Sequence, residues 1–489
     1  MSAACTTSGR GSSAPDEETS NEPRPNFSGL CDLEPDPPKH DALTIENATK
    51  KRLSELCNKP ENELLKDVVY EIVPEERDVG DCEISGANFT LFGASGEGIH
   101  VNGNLHLKGA HNIVIKGLTF SEGPLGMRLK VEANGDNISL IDNNIPSAGP
   151  PKPKGASLED QEKICSPLEE EPGAPCDDTP TAIRVEASAQ VDRVLIKGNK
   201  LKDIVACKTS DDDDSQAHGI HVVASKSGKI TNLRVERNVI KNADTGHSEV
   251  ISLNGDIQGF LVAENSVRFY NNIGIDVMGK ESQGAGVPER GVVRHNLVVD
   301  WRRSKSNSEP GFGIYSDGTN STCISRNVVF STYEGLEISA EHAGRFSGNV
   351  MEENIVAFPC VRGLRIGTSS SGALLQETWS MNNWLIQESA TYSIENDDGG
   401  EVLGVHIDGD NVLCYANSSQ TTWNPVKADE SGIHYHNCNN AKATVPAPEW
   451  VQGVSPTMDP CELFANIKGD KVRPEGCSKS GESSSPAGQ

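Results

Sequence analysis

Aromatic residues, long apolar runs and clustered basic residues are all scarce in this 489-residue sequence, and each shortage excludes a class of protein. Aromatics make up only 5% of the residues, which disfavours cores built from stacked rings. No apolar run approaches the roughly 20 residues of a membrane-spanning helix. The formal net charge is −27 and no basic stripe is present, so no nucleic acid partner is expected. A polyuronate substrate is disfavoured for the same reason, unless a local basic groove compensates.

Motifs for metal and phosphate binding are also missing. No Cys/His spacing fits zinc, and no glycine-rich phosphate loop follows a predicted strand. The run Asp211–Asp214 lacks the EF-hand spacing and is interpreted as a solvated acidic loop. Calcium at this run is the one cofactor left as an alternative, because calcium binds carboxylate oxygens.

Cysteine, by contrast, is abundant: thirteen residues predict an exported, disulfide-bonded protein rather than a cytosolic one with scattered thiols. No signal peptide is recognised, but Met-Ser-Ala-Ala-Cys5 resembles the trimmed end of a bacterial lipoprotein signal that lacks its usual leucine. Setting Cys5 aside leaves twelve cysteines, an even number that can pair fully. Close spacing predicts three disulfides: Cys165/Cys176, Cys414/Cys438 and Cys461/Cys477. We expect a secreted or outer-surface lipoprotein, tethered to the membrane through lipidated Cys5 and monomeric.

Composition divides the chain into four parts. Residues 1–40 are rich in Ser, Gly, Pro and Glu, which predicts a disordered tether. Residues 41–65 carry apolar residues near helical spacing in TIENATKKRLSELC, which predicts an N-terminal cap helix. A repeat occupies residues 66–425 and is lost over residues 426–489, which are interpreted as a C-terminal cap and tail.

The repeat consists of short β-branched bursts separated by Gly, Asn and Ser. One burst in each unit ends at an asparagine, and successive asparagines lie 39, 27, 31, 31 and 27 residues apart: Asn199, Asn238, Asn265, Asn296, Asn327 and Asn354. Short strands at such a period, with no helices between them, are typical of a solenoid, and stacked asparagines can form a hydrogen-bonded ladder. We therefore predict an all-β right-handed parallel β-helix of about ten coils, from residue 82 to 415.

A second marker, glycine followed by an apolar residue, recurs along the repeat, as in GIDVM, GIYSD and GLEIS. Because side chains alternate along a strand, the residue after the apolar one points outward. Aligning the glycines gives a first outward column: Arg184, His221, Ser252, Asp276, Tyr315, Glu337, Arg365 and Glu395. Two residues further on lies a second column: Glu186, Val223, Asn254, Met278, Asp317, Ser339, Gly367 and Asp397.

Carboxylates on neighbouring coils are the candidate catalytic groups. Coil spacings of about 4.8 Å and strand advances of about 6.7 Å place the Cα atoms of Asp317 and Glu337 roughly 8 Å apart. Leaning side chains would bring the carboxyls to about 5–6 Å, close to a retaining glycosidase pair, whereas Asp276 lies at roughly 10 Å from Glu337, nearer the inverting spacing. Six polar residues are expected to bind the sugar: His221, Asn254, Tyr315, Arg365, Glu249 and His247. The alternative is an ordinary polar outer row.

The segments NNIGIDVMG, GIYSDG and GLEISAEH resemble bacterial right-handed parallel β-helix proteins active on carbohydrates, within the pectate-lyase-like superfamily. Their Asp-then-Glu order is similar to that of β-xylosidase-type β-helix hydrolases, which implies Asp317 as nucleophile and Glu337 as acid/base. The resemblance covers about residues 80–415, and the chain has no segment long enough for the inserted β-domain of those hydrolases.

The expected activity is glycoside hydrolysis of a polysaccharide or oligosaccharide, with loops 146–179 and 280–291 as the walls of the cleft. Fold alone does not select the reaction. A polysaccharide lyase or uronate epimerase, with Arg365, Arg290 and Lys280 as candidate groups, stays open, as does a non-catalytic glycan-binding surface protein.

Overall fold

A computed structural model describes most of the middle of the chain. The described residues are 27–40, 48–59, 65–73, 80–93, 100–101, 103–121, 127–149, 179–206, 216–280, 286–302, 311–357, 359, 362–387, 392–396, 400–408, 411–415 and 433–437. Two short helices occur among them, an α-helix at Ser28–Cys31 and a 3-10 turn at Leu53–Glu55. None of the helices in these ranges is long and apolar enough to cross a membrane.

The remaining elements are strands that pair in parallel from coil to coil, three strands in each complete coil, so that three stacked faces result. Face 1 contains Gly80–Gly93, Gly103–Lys116, Met127–Ala133, Thr181–Ala187, His218–Ala224, Glu249–Gly255, Ile273–Met278, Phe312–Asp317, Glu334–Ser339, Arg362–Thr368 and Tyr392–Asn396. The first two of these strands continue around a corner into face 2.

Face 2 otherwise contains Thr49–Lys51, Leu65–Ile72, Ile138–Ile141, Gln190–Lys197, Lys229–Glu236, Ile257–Ala263, Glu289–Arg294, Asn320–Ser325, Gly344–Ser347, Val350–Glu352, Ala373–Met381 and Glu401–Asp408. Face 3 contains His100–Val101, Thr119–Phe120, Asn144–Ile145, Lys200–Val205, Val239–Asp244, Ser266–Tyr270, Leu297–Trp301, Val328–Phe330, Ile355–Ala357, Trp384–Gln387, Asn411–Tyr415 and Ile433–Asn437. The architecture is the predicted right-handed parallel β-helix.

A buried asparagine ladder closes the corner between faces 2 and 3. The six predicted asparagines belong to it, and Asn143 and Asn383 extend it at either end. From Asn199 onward, each Oδ1 accepts from the backbone and side-chain amides of the asparagine on the preceding coil, as Asn265 does from Asn238, whereas Oδ1 of Asn143 accepts from the backbone N–H of Leu118. The residue before each asparagine has a positive φ, for example Glu264 at 59°. The ladder therefore satisfies backbone groups that this tight turn would otherwise leave buried without partners.

The marker glycines lie where face 3 turns into face 1. A Cβ added to Gly274 would lie 2.5 Å from Cγ1 of Val298 and 2.7 Å from the carbonyl oxygen of Gly313 on the next coil. No side chain larger than hydrogen fits at this corner. The apolar residues that follow the glycines, such as Ile275 and Ile314, are fully buried in the core.

Residues 27–40, named the strap here, differ from the prediction of a disordered tether over 1–40. The strap crosses the outside of face 2, from Phe27 beside Trp379 to His40 beside Ser139. A disulfide joins Cys31 to Cys323, and the apolar side chains of the strap cover Val292. Five acid–arginine pairs continue the attachment: Asp32–Arg294, Asp32–Arg326, Glu34–Arg234, Glu34–Arg294 and Asp36–Arg193.

The predicted cap helix over 41–65 is also different in the structure. Its described part forms the strand Thr49–Lys51 and a 3-10 turn whose Leu53 is buried at the end of the core. A second disulfide, Cys57–Cys82, fastens this turn to the first coil. Disulfides are thus confirmed, whereas the three predicted pairs lie outside the residues whose side chains are described.

The β-helix also continues past the predicted boundary at residue 425, because Ile433–Asn437 adds a further strand to face 3. The outward columns follow the predicted register from Arg184 to Arg365. They then depart from it, because Ser393 rather than Glu395 pairs with Arg365, and Glu395 pairs with Gly367. Asp397 lies outside the described residues.

Candidate active site

A cavity of about 280 Å³ opens on face 1, where strands His218–Ala224 to Phe312–Asp317 present their outward side chains. Its lining is mostly polar: Gln216, His218, His221, His247, Ser248, Glu249, Ser252, Asn254, Asn272, Ile273, Asp276, Met278, Phe312, Tyr315, Asp317 and Glu341. The volume is close to the lower end of the range for small-molecule sites.

Two aspartates stand on adjacent coils within this cavity. Asp276 pairs in register with Tyr315, and Met278 pairs with Asp317. Asp276 and Asp317 are therefore diagonal neighbours, with Cα atoms roughly 8 Å apart and carboxyls within reach of about 5–6 Å. Each is only 3% exposed. The register keeps Asp317 and Glu337 diagonal neighbours as well, as the sequence predicted, so Asp317 has an acidic diagonal neighbour on the coil before it and on the coil after it.

A short hydrogen-bond chain fixes one side of the cavity. The backbone N–H of Glu341 donates to Oδ1 of Asp317 over 2.8 Å, and the Tyr315 hydroxyl donates to Oε1 of Glu341 over 2.9 Å. Burial and the surrounding carboxylates raise the pKa of Tyr315 well above 10, so its hydroxyl keeps its proton. The Glu341 N–H therefore fixes the position of Oδ1 of Asp317 on this side of the cavity.

Two stacked imidazoles form the opposite side. The rings of His218 and His221 lie 4.0 Å apart, and Nδ1 of His218 is 3.2 Å from the carbonyl oxygen of Glu249. Burial, with help from Arg184, lowers the pKa of His218 to about 3. Burial, His218 and Arg184 likewise lower the pKa of His221 far below 6.5. Both rings are neutral near pH 7.

Glu337 and Arg365, which the sequence also predicts as site residues, are absent from the lining of this cavity. Glu337 is 1% exposed, and its Oε1 lies 3.2 Å from Arg365 on the next coil, away from Asp276. Burial raises the pKa of Glu337 to about 8, although Arg365 partly opposes the rise. The Glu337 carboxyl is thus buried and paired with Arg365.

The other predicted site residues all line the cavity: Asp276, Asp317, His221, Asn254, Tyr315, Glu249 and His247. Sequence reasoning missed Glu341 and Phe312, since neither occupies an outward column. Glu341 lies in the turn after Glu334–Ser339, and the only signal for it was the acidic motif GLEISAEH.

The expected walls and the calcium alternative fall largely outside the described residues, which omit 150–178, 207–215 and 281–285. Among described side chains, no three carboxylate or imidazole ligand atoms of the cavity lie within 4.8 Å of one another. Lys280 donates to the carbonyl oxygen of Ala343, and neither it nor Arg290 lines the cavity.

No family model matches the chain. The uncharacterized protein YwoF of Bacillus subtilis (strain 168) is 34% identical over 197 residues, which cover 38% of this chain and 40% of that protein. A PL6 alginate lyase solved in complex with a trisaccharide aligns with TM-score 0.40 and 11% identity, over 80% of this chain and 89% of that one. A polygalacturonase from Erwinia carotovora ssp. carotovora aligns with TM-score 0.31 and 10% identity, over 83% and 98%. The fold assignment rests on the strand register described above.

Proposed function

We propose that the protein is a glycoside hydrolase whose cavity on face 1 cleaves a glycosidic bond. The observation that carries the proposal is the placement of Asp276 and Asp317 at diagonal positions on adjacent coils, both within one polar cavity. A rigid parallel sheet holds such a pair with little freedom, as acid and nucleophile chemistry requires.

Asp317 is assigned as the nucleophile, because the Glu341 backbone N–H fixes the position of its Oδ1. Asp276 is assigned as the general acid/base. Its proton passes to the leaving oxygen while Asp317 forms a bond to the anomeric carbon. Asp276 then removes a proton from water, which attacks the same carbon and releases Asp317 with net retention of configuration.

The remaining lining residues bind and orient the sugar. Hydrogen bonds to sugar hydroxyl groups can come from Asn254, Ser252 and neutral His221. The apolar part of the cavity wall is formed by Phe312 and Met278. A polysaccharide lyase would need a cation to neutralise the uronate carboxylate. No Lys or Arg is present among the described lining residues, which favours hydrolysis over elimination.

Action outside the cell is part of the proposal. Each of the four cysteines with described side chains is in a disulfide, Cys31–Cys323 or Cys57–Cys82, and such bonds persist in oxidising compartments. The substrate is accordingly expected to be a polysaccharide or its oligosaccharide fragments, met outside the cytosol.

The test is a glycan screen of the purified protein that follows reducing ends and the ultraviolet absorbance of unsaturated products, with and without EDTA. Hydrolysis gives reducing ends without new absorbance, and both Asp276→Asn and Asp317→Asn abolish it. New absorbance that EDTA removes would instead identify a calcium-dependent lyase and refute the proposal.

A further inference from the structure

The carboxyl groups in the lining of the cavity outnumber its basic groups. Four carboxyl groups line it, those of Glu249, Asp276, Asp317 and Glu341, and only that of Asp276 is assigned a proton as general acid. No described lining residue is Lys or Arg. The nearby Arg184 pairs with Glu186 over 3.3 Å and lies 3.4 Å from Nδ1 of His221, outside the lining itself. Like charges gathered in a partly buried space repel one another and attract a cation.

The imidazoles do not compensate for this charge. His218 and His221 are buried and stack on each other, and the same burial keeps both rings uncharged near neutral pH. The cavity therefore presents carboxylates and neutral hydrogen-bonding groups to whatever enters it.

Two further polar atoms in the wall lack a hydrogen-bond partner. Oδ1 of Asn254 and Oγ of Ser252 make no hydrogen bond, although the two residues are only 5% and 0% exposed. Both residues line the cavity. A buried acceptor without a donor is costly, by about 1–3 kcal/mol, so these atoms indicate a ligand that brings its own N–H or O–H groups.

We infer that the cavity selects a sugar unit bearing a free ammonium group, such as a de-N-acetylated hexosamine within a glycan. The inference rests on the proposed function and names its substrate class. An ammonium group has three donors, which suits carboxylates set apart around a cavity together with the neutral acceptors of Asn254 and Ser252. The described carboxylates do not converge as a metal ion requires.

Calorimetric binding to the wild-type protein tests the inference with thio-linked disaccharides, which resist hydrolysis. The matched ligands are the glucosamine and galactosamine disaccharides, their N-acetylated forms, and a uronate disaccharide. Either the glucosamine or the galactosamine disaccharide is expected to bind at least about tenfold more tightly than its own N-acetylated form. The reason is that acetylation removes a charge-assisted hydrogen bond. The preference should weaken with added salt.

Two variants locate the selectivity. Glu249→Gln and Glu341→Gln should each reduce the amine preference by about tenfold, with little change for the N-acetylated ligand. Glu401→Gln is the matched control, since Glu401 is exposed on face 2, and it should leave the preference unchanged.

The binding experiment tests the substrate class, and the cleavage experiment separately tests the hydrolase proposal. If a thio-linked amine binds selectively but its oxygen-linked form is never cleaved, the substrate class stands and the hydrolase proposal falls. If N-acetylated or uronate sugars bind as well as the amine, or if no sugar binds, the substrate class is refuted, whatever the cleavage assay gives. Calcium chloride that binds and abolishes the amine preference would also refute it.

Discussion

Faces 1 and 2 are built from the same coils, yet their outward rows differ in character. On face 2 the row through Leu261, Val292 and Cys323 is apolar and lies beneath the strap. On face 1 the row through Ser252 and Asp276 is polar and opens to the cavity. Both rows occupy equivalent pleat positions, pointing away from the core.

The contrast shows that the inward-facing residues determine the β-helix, whereas the outward-facing residues can be apolar on one face and polar on another. An apolar outward row needs a cover, which the strap supplies through a disulfide and ion pairs. A polar outward row needs no cover, and it can hold acids at spacings fixed by the coil repeat. The following predictions test this division, from the largest expected effect to the smallest.

Changing Asp317 to Asn should remove activity and leave stability almost unchanged. The variant keeps the shape of the side chain but loses the nucleophilic carboxylate, so kcat should fall by about 10³-fold or more. Reducing-end assays and thermal unfolding measure the two quantities. Asp276→Asn should behave in the same way, while full activity in either variant would contradict the assignment of the pair.

Removing the disulfide of the strap should lower stability and leave activity unchanged. In the double variant Cys31→Ser/Cys323→Ser, the unfolded chain loses a cross-link between residues 292 apart, so the free energy of unfolding should fall by about 2–5 kcal/mol. Urea denaturation would measure the loss. Activity per folded molecule should be retained, because the strap lies on face 2, and a selective loss of kcat would show that the two faces are coupled.

Glu337 should make stability depend on pH. Its pKa rises from the usual 4.5 to about 8 on folding, so the folded state binds the proton more tightly. The resulting stabilisation is complete below about pH 4.5 and is lost as the pH rises toward about 8, an effect on the order of 5 kcal/mol.

The variant Glu337→Gln should remove this component, so that its stability relative to wild type improves between about pH 5 and pH 8. Denaturant unfolding at several pH values would reveal the difference. Because Glu337 is not part of the cavity lining, kcat should remain within a few-fold of wild type. A collapse of kcat would restore the acid/base role that the sequence alone assigned to it.

The smallest effect is expected for Glu34→Gln in the strap. Glu34 pairs with Arg234 over 3.1 Å and also with Arg294, but the glutamate side chain is 52% exposed, so solvent screens most of the attraction. The free energy of unfolding should fall by about 0.5 kcal/mol at low salt and by less at high salt. A loss as large as that from the disulfide variant would mean that charge, rather than the cross-link, holds the strap.

The fold was predictable because its signals recur. Asn238, Asn265 and Asn296 mark one corner of each coil, and Gly274 and Gly313 mark another. Two repeated markers set the register, so the outward rows followed directly. The alignment failed at Glu395, where no glycine precedes the strand and a shift by two residues preserves the same alternation.

The site was only partly predictable, because register does not determine where a long side chain leans. Glu337 occupies the predicted row, but its carboxyl pairs with Arg365 on the next coil and is not part of the cavity lining. Glu341 enters the cavity from a turn, where the strand period carries no information. The strap was missed because its composition resembles disorder, and its attachment depends on partners such as Cys323 that are remote in sequence.

The Cys31–Cys323 link also has a consequence in time. Cys31 must wait for 292 further residues before its partner exists, which at about 5–20 residues per second amounts to about 15–60 s of synthesis. During that interval the strap already exists while each coil of the row that it covers is added, so the disulfide can form only after the apolar contacts of the earlier coils are available.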